Sequence, residues 1–187
     1  MSKMSKMIIV VDGKIGSGKT TLSKKIANDY SYKHINCDLE IKKIYQEEKI
    51  INQVLKLLNL EKIDFTQISK IIFNNQEKKK ELEQILISRL KEIINDYYKN
   101  NKNIIIEGYN ALKYFEYDLG IYLVCNYDDR KERIKERDVR TEEEINLINN
   151  NQSDIIKLEK NIYFFNNDNY NKIKKLMELY DQNRKNS

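Results

Sequence analysis

Two kinds of apolar pattern alternate along the chain. The first is a short run of mostly β-branched or bulky residues: Met7–Val11, Ile104-Ile105-Ile106, Ile121–Cys125 and Ile162–Phe165. Such brief runs predict strands of a parallel sheet, covered on both faces. Lys33–Asn36 predicts a further short strand. The second pattern has helical spacing. Thr20–Tyr30 sets Leu22, Ile26 and Tyr30 on one face. Asp38 to about Leu58 carries Ile41, Ile44, Tyr45, Val54, Leu55 and Leu58, with a break expected near Lys49–Asn52. Phe65–Phe73 and Glu77–Lys99 predict two more helices, the second with a clean stripe from Leu82 to Tyr97. Asp128–Asp138 reads as a charged helix, Thr141–Gln152 as a polar stretch with little apolar pattern, and Ile173–Tyr180 as a final helix.

Strands alternating with helices predict βαβ crossovers and a parallel sheet. The helices at Phe65–Lys99 arrive with no strand between them, so they read as an insertion between the second and third strands. The expected architecture is one α/β domain over residues 1–187. It has a five-stranded parallel sheet with helices on both faces, a helical lobe at about 61–99, and a lid at about 128–152.

Composition narrows the function classes. A length of 187 residues suits one domain with a sizeable core. Apolar residues at 40% are too many for a disordered chain. Met7–Val11, the longest strongly apolar run, is far short of the roughly 20 residues that span a bilayer, and Met1–Lys6 has no signal-peptide character. A cytoplasmic protein without membrane partners is expected. Cys37 and Cys125 are too few for a disulfide framework. His34 is the only histidine, which argues against a histidine-built zinc site or a Ser-His-Asp triad. The net charge of +5 can steer anionic ligands. The thirteen tyrosines are scattered rather than gathered into a stacking platform, so no nucleic-acid partner is expected. Oligomeric state is expected to be monomer or weak oligomer.

Gly13-Lys14-Ile15-Gly16-Ser17-Gly18-Lys19-Thr20 fits G-x-x-x-x-G-K-[ST] at every required position, between a strand and an amphipathic helix. Glycines let the backbone curl so that N–H groups converge on phosphate oxygens. The helix that follows adds the positive end of its dipole. Lys19 suits the β- and γ-phosphates of ATP, and the Thr20 hydroxyl suits Mg²⁺. The expected nucleotide-binding residues are Gly13, Ile15, Gly16, Ser17, Gly18, Lys19, Thr20 and Thr21.

Other residues bear on the acceptor. Asp38 follows the second strand and opens a helix, where a carboxylate serves either as general base for an acceptor hydroxyl or as a helix cap. Glu107 ends the third strand and reads either as a site carboxylate or as a solvated strand end. Arg130, Arg133, Arg137 and Arg140 recur at spacings of three and four. Such arginines close over a transferring phosphoryl group, or simply pair with Asp128, Asp129, Glu132, Glu136 and Asp138 on a surface helix.

From Ile8 to about Leu179 the chain resembles the dephospho-coenzyme A kinases, P-loop enzymes related to the nucleoside monophosphate kinases. The resemblance rests on the phosphate loop, on Asn36-Cys37-Asp38, on Ile68–Leu86, on Arg133-Ile134-x-x-Arg137-Asp138, on Gln152 and on Asn166. It implies a phosphotransferase with an alcohol acceptor, using ATP and Mg²⁺. Lys19, Asp38, Arg133 and Arg137 would be its catalytic residues, Asp38 as base, and Arg140 a weaker candidate. The lobe would bind the acceptor and the lid would close on substrate. Departures cluster on the acceptor side. Asn36 replaces the first aspartate of the family's Asp-x-Asp, and Ile87-Ser88 replaces a His-Pro pair. Glu107-Gly108-Tyr109-Asn110-Ala111 replaces Asp-x-Pro-Leu-Leu, and Ile148 replaces a lid arginine. A nucleoside or nucleotide acceptor on the same fold, or nucleotide binding without transfer, are the competing expectations.

Overall fold

The computed structural model describes residues 6–100, 103–138, 140–152, 161–166 and 169–185. Residues 1–5, Asn101 and Lys102 of the expected polar loop, and Val139 of the expected lid lie outside these. Two compact units are present. The first comprises Met1–Asn36 with Asn100–Ser187, the second Cys37–Lys99.

The first unit holds a five-stranded sheet built from β1 (Met7–Asp12), β2 (Lys33–Asn36), β3 (Asn103–Glu107), β4 (Leu119–Val124) and β5 (Ile162–Asn166). The spatial order is β2-β3-β1-β4-β5, and every pairing is parallel. Ile104, Ile105 and Ile106 are fully buried, which is why the strand reads as unbroken apolar sequence rather than alternating. On one face, Met7, Ile9, Val11, Ile105 and Ile121 form a core with Leu22 and Ile26 of α1 (Lys19–Tyr30) and Ile173 and Met177 of α9 (Tyr170–Lys185). The remaining helices of this unit are α6 (Ala111–Tyr114), α7 (Tyr127–Arg137) and α8 (Glu142–Asn151).

The helix α8 departs from the sequence pattern. Its residues are polar, yet Thr141 and Glu144 form a reciprocal capping box, and Ile145 is fully buried as its single apolar anchor. The capped N-terminal turn supplies what periodicity lacks.

The second unit is helical: α2 (Cys37–Ile44), α3 (Glu48–Leu58), α4 (Phe65–Asn74) and α5 (Gln76–Asn100, all but its last residue). It therefore starts at Cys37 and takes in α2 and α3. Ile50, Val54 and Leu58 of α3, and Leu82, Leu86, Leu90 and Ile94 of α5, bury the i, i+4 stripes that the pattern predicts. The break after α2 falls at Tyr45–Glu47, a few residues earlier than expected, where the Glu47 carbonyl accepts from the N–H groups of Ile50 and Ile51. Among the described residues no helix is long and apolar enough to cross a membrane.

Candidate active site

The phosphate loop runs from the end of β1 into α1. Gly16 has φ +78°, and an added Cβ there would lie 2.8 Å from the Arg130 carbonyl oxygen. Gly13 has φ +143°, and its Cβ would lie 2.7 Å from the Leu123 carbonyl oxygen. Both glycines are thus required by a left-handed backbone and by close approach to α7 and β4. The Lys19 ammonium donates to the carbonyls of Gly13 (2.7 Å) and Lys14 (3.0 Å), which points the side chain back along the loop. Ser17 is fully buried, Thr20 is half-buried in the first turn of α1, and Thr21 is exposed.

Asp12, the last residue of β1, is a buried anchor. Its carboxylate accepts from the backbone N–H groups of Gly13 (2.6 Å), Asn110 (3.0 Å) and Leu112 (3.1 Å). Burial pushes its pKa up, against the pull of these bonds and of Lys19. Asp12 therefore ties the start of the phosphate loop to α6, and no pattern in the sequence marks it.

Glu107 is only 2% exposed, which removes the solvated strand end as a reading. The side chain of Asn36, its register partner on β2, donates to Oε1. His34 Nε2 lies 3.3 Å from the same oxygen. Oε2 is buried with no hydrogen-bond partner. A carboxylate oxygen left in this way is costly unless something occupies it. Like the Thr20 hydroxyl, it is a hard oxygen of the kind Mg²⁺ takes. Among the described residues no group of three or more His, Cys, Asp or Glu side chains is placed to share a metal ion.

The arginines divide. Arg133 reaches the loop, with Nη1 3.5 Å from the Gly16 carbonyl and 3.4 Å from Cys125 Sγ. Arg137 lies at the surface in a two-pronged bond to its neighbour Asp138 (2.9 and 2.8 Å), and Arg140 lies 3.6 Å from the same carboxylate. Arg130, to which the sequence gives no special standing, is buried at 4% exposure. It donates to the carbonyls of Ile15 and Cys125 and to Asn149 Oδ1. Gln152 Oε1 accepts from the Ile15 N–H at 2.8 Å. Asp38 belongs to the second unit, where it is exposed in the first turn of α2; the helix begins one residue earlier, at Cys37.

A family model described as "AAA domain" matches residues 9–157. The chain belongs to that family, among its P-loop kinases. It is similar to the dephospho-CoA kinase of Borreliella burgdorferi, 30% identical over 175 residues, which is 86% of this chain and 80% of that protein. It is also similar to the cytidylate kinase of Mesomycoplasma hyopneumoniae, 30% identical over 161 residues, 70% of this chain and 68% of that one. Among solved structures, the dephospho-CoA kinase of Campylobacter jejuni shares the fold at a TM-score of 0.56, with 23% identity over 94% of this chain and 98% of that one. The chain is a kinase, a phosphotransferase of the P-loop class, and the α/β fold expected from its sequence is the fold it has.

Proposed function

We propose that this kinase transfers the γ-phosphoryl group of ATP to an alcohol acceptor, the ribose 3′-hydroxyl of dephospho-coenzyme A, giving coenzyme A and ADP. The observation that carries this is the similarity to a dephospho-CoA kinase over most of both chains. In the reaction the acceptor oxygen forms a bond to the γ-phosphorus. The bond to the β,γ-bridging oxygen breaks, and its electron pair leaves with ADP. The N–H groups of Gly16–Lys19 cradle the phosphates, and Lys19 balances charge on the transferring group. Asp38 orients the acceptor hydroxyl and takes its proton. Arg133 supplies positive charge beside the loop, supported by its approach to Gly16. Arg137 joins it by leaving Asp138. Mg²⁺, when bound, neutralises phosphate charge, and Thr20 and Glu107 are the residues that would hold it. Acceptor recognition falls to the helical unit, and residues 128–152 act as the lid.

A nucleoside or nucleotide acceptor is the second reading. It is favoured by the similarity to a cytidylate kinase, and by Asn36 and Glu107, bonded to each other where the dephospho-coenzyme A kinases carry aspartates.

The test is ADP release from Mg·ATP with dephospho-coenzyme A and with a panel of nucleosides and nucleoside monophosphates. Acceleration by dephospho-coenzyme A alone supports the first reading. Acceleration by a nucleoside or nucleotide alone exchanges the acceptor, and no acceleration at all defeats both. Lys19→Ala is the control: its turnover should fall by about 10²–10³-fold with melting unchanged, the scale of removing one preorganised charge donor.

A further inference from the structure

The peptide units on either side of Ile15 are both held by side chains from outside the phosphate loop. Arg130 Nη1, on α7, donates to the Ile15 carbonyl at 3.2 Å. In a trans peptide the carbonyl and the next N–H point in opposite directions. The bond to Arg130 therefore turns the Gly16 N–H away from α7. On the other side, Gln152 Oε1 accepts from the Ile15 N–H at 2.8 Å, which turns the Lys14 carbonyl the opposite way. That carbonyl is the one that receives the Lys19 ammonium at 3.0 Å. Two successive peptide planes of the loop are thus set by residues 115 and 137 positions away in sequence.

Arg130 is itself held. Its Nη2 donates to Asn149 Oδ1 at 2.7 Å and its Nε to the Cys125 carbonyl at 3.2 Å. The Tyr127 ring lies 5.5 Å from the guanidinium carbon. All three hydrogen-bond acceptors are neutral oxygens, and no carboxylate among the described residues pairs with this buried cation. Burying a charge without a counter-charge is costly. The cost is offset when an anion binds nearby, and the nearest anion site the chain offers is the phosphate loop that Arg130 touches.

We propose that Arg130 is a positioning residue for nucleotide binding, and that Asn149 of α8 and Gln152 just past its end are part of the phosphate-binding apparatus rather than a cover that only meets it on closure. Asn149 fixes the guanidinium, the guanidinium fixes the Ile15 carbonyl, and the loop presents Gly16 N–H to a phosphate oxygen. Gln152 sets the adjoining peptide. The inference rests on the kinase reading only in taking the ligand to be a nucleoside triphosphate; it is indifferent to the acceptor.

The test uses the full chain with Asn149→Ala, Asn149→Asp and Gln152→Ala. Amide hydrogen exchange over residues 13–20 reads the loop directly, and equilibrium titration with Mg·ATP reads affinity. Asn149→Ala should speed exchange in the loop but not in β1, and should weaken ATP binding by about five- to tenfold, the scale of one ordinary hydrogen bond. Its KM for ATP should rise more than its kcat falls. Asn149→Asp keeps an acceptor for the guanidinium and should restore loop protection. Gln152→Ala leaves Arg130 and Asn149 bonded, and should release mainly the Ile15 amide. Unchanged loop exchange and unchanged ATP affinity in Asn149→Ala and Gln152→Ala overturn the proposal. So does a loss in Asn149→Ala that the aspartate does not repair, because a helix that has merely lost stability would behave that way. The two readings fail separately. If no acceptor is turned over while the loop and affinity changes persist, the functional reading falls and this one stands.

Discussion

Gly16 packs the phosphate loop against α7 with no room for a side chain. A methyl group there would meet the Arg130 carbonyl oxygen at 2.8 Å and Ile134 Cγ1 at 3.1 Å, on a backbone at φ +78°. The left-handed conformation alone costs a non-glycine residue roughly 1–2 kcal/mol. A backbone carbonyl at that distance cannot move aside as a flexible side chain could. Gly16→Ala should therefore lower stability by about 2–4 kcal/mol, strain and overpacking together. It should also weaken ATP binding, because the loop can relieve the contact only by moving away from α7. Denaturant unfolding and ATP titration check the two effects, and a variant that binds ATP normally would show that the loop does not depend on its seat against α7. The glycines, Lys19 and Thr20 were legible because the phosphate loop is contiguous in sequence. Arg130 was not. It shares its helix with Arg133 and Arg137, and only its burial, set by partners at Ile15 and Asn149, separates it from them. Asp12 was hidden for the same reason, and Glu107 stood between two readings: each is defined by what surrounds it, Glu107 by His34 and Asn36, Asp12 by Asn110 and Leu112.

In α8 and α4 a side-chain cap fixes the helix start. In α8 a Thr-x-x-Glu signature stood in the sequence at Thr141–Glu144, yet with Ile145 as the only buried side chain the periodicity stayed silent. In α4 the cap is Asp64, whose carboxylate accepts from the N–H groups of Gln67 and Thr66. Those bonds, the one from Gln67 foremost, hold its pKa below the ordinary 3.8. A carboxylate whose folded pKa is depressed contributes stability that is present above the ordinary value. That stability is lost as pH falls through the folded one. Asp64→Ala should therefore lower the unfolding midpoint at neutral pH, and the gap from the parent should close in acid well below pH 3.8. Urea titrations of both proteins at the two pH values read this. A gap of constant size would mean that the charge on Asp64 contributes nothing to the helix start.

At the scale of the whole molecule, the strand–helix alternation was enough to give the parallel sheet, because the central strands β1, β3 and β4 are buried runs separated by helical segments, while the edge strands β2 and β5 are only partly buried. The extent of the helical unit was less legible. The chain passes from β2 into α2 with no loop between Asn36 and Cys37, so nothing in the sequence marks where one unit ends. That unit contains a polar cavity of about 590 Å³ between α3 and α5, with Gln53, Gln84, Ser88 and Arg89 in its wall. Arg89 spans it, donating to Glu47 at 2.7 Å and to Glu92 at 2.9 Å. Ser88 is one of the two residues that replace the His-Pro pair of the dephospho-coenzyme A kinases. If acceptor recognition belongs to this unit and ATP handling to the other, the two affinities should be separable by mutation. Arg89→Ala removes a fixed donor from the cavity wall and frees two carboxylates, so it should raise the KM for the acceptor by about tenfold, the scale of one lost charged hydrogen bond. It should leave the KM for ATP within about twofold, since the Arg89 bonds go to Glu47 and Glu92 and to no residue of the phosphate loop. Initial rates with each substrate varied in turn give both constants. A parallel rise in the two would mean that Arg89 supports the fold at large, and no rise in either would move acceptor recognition out of this cavity.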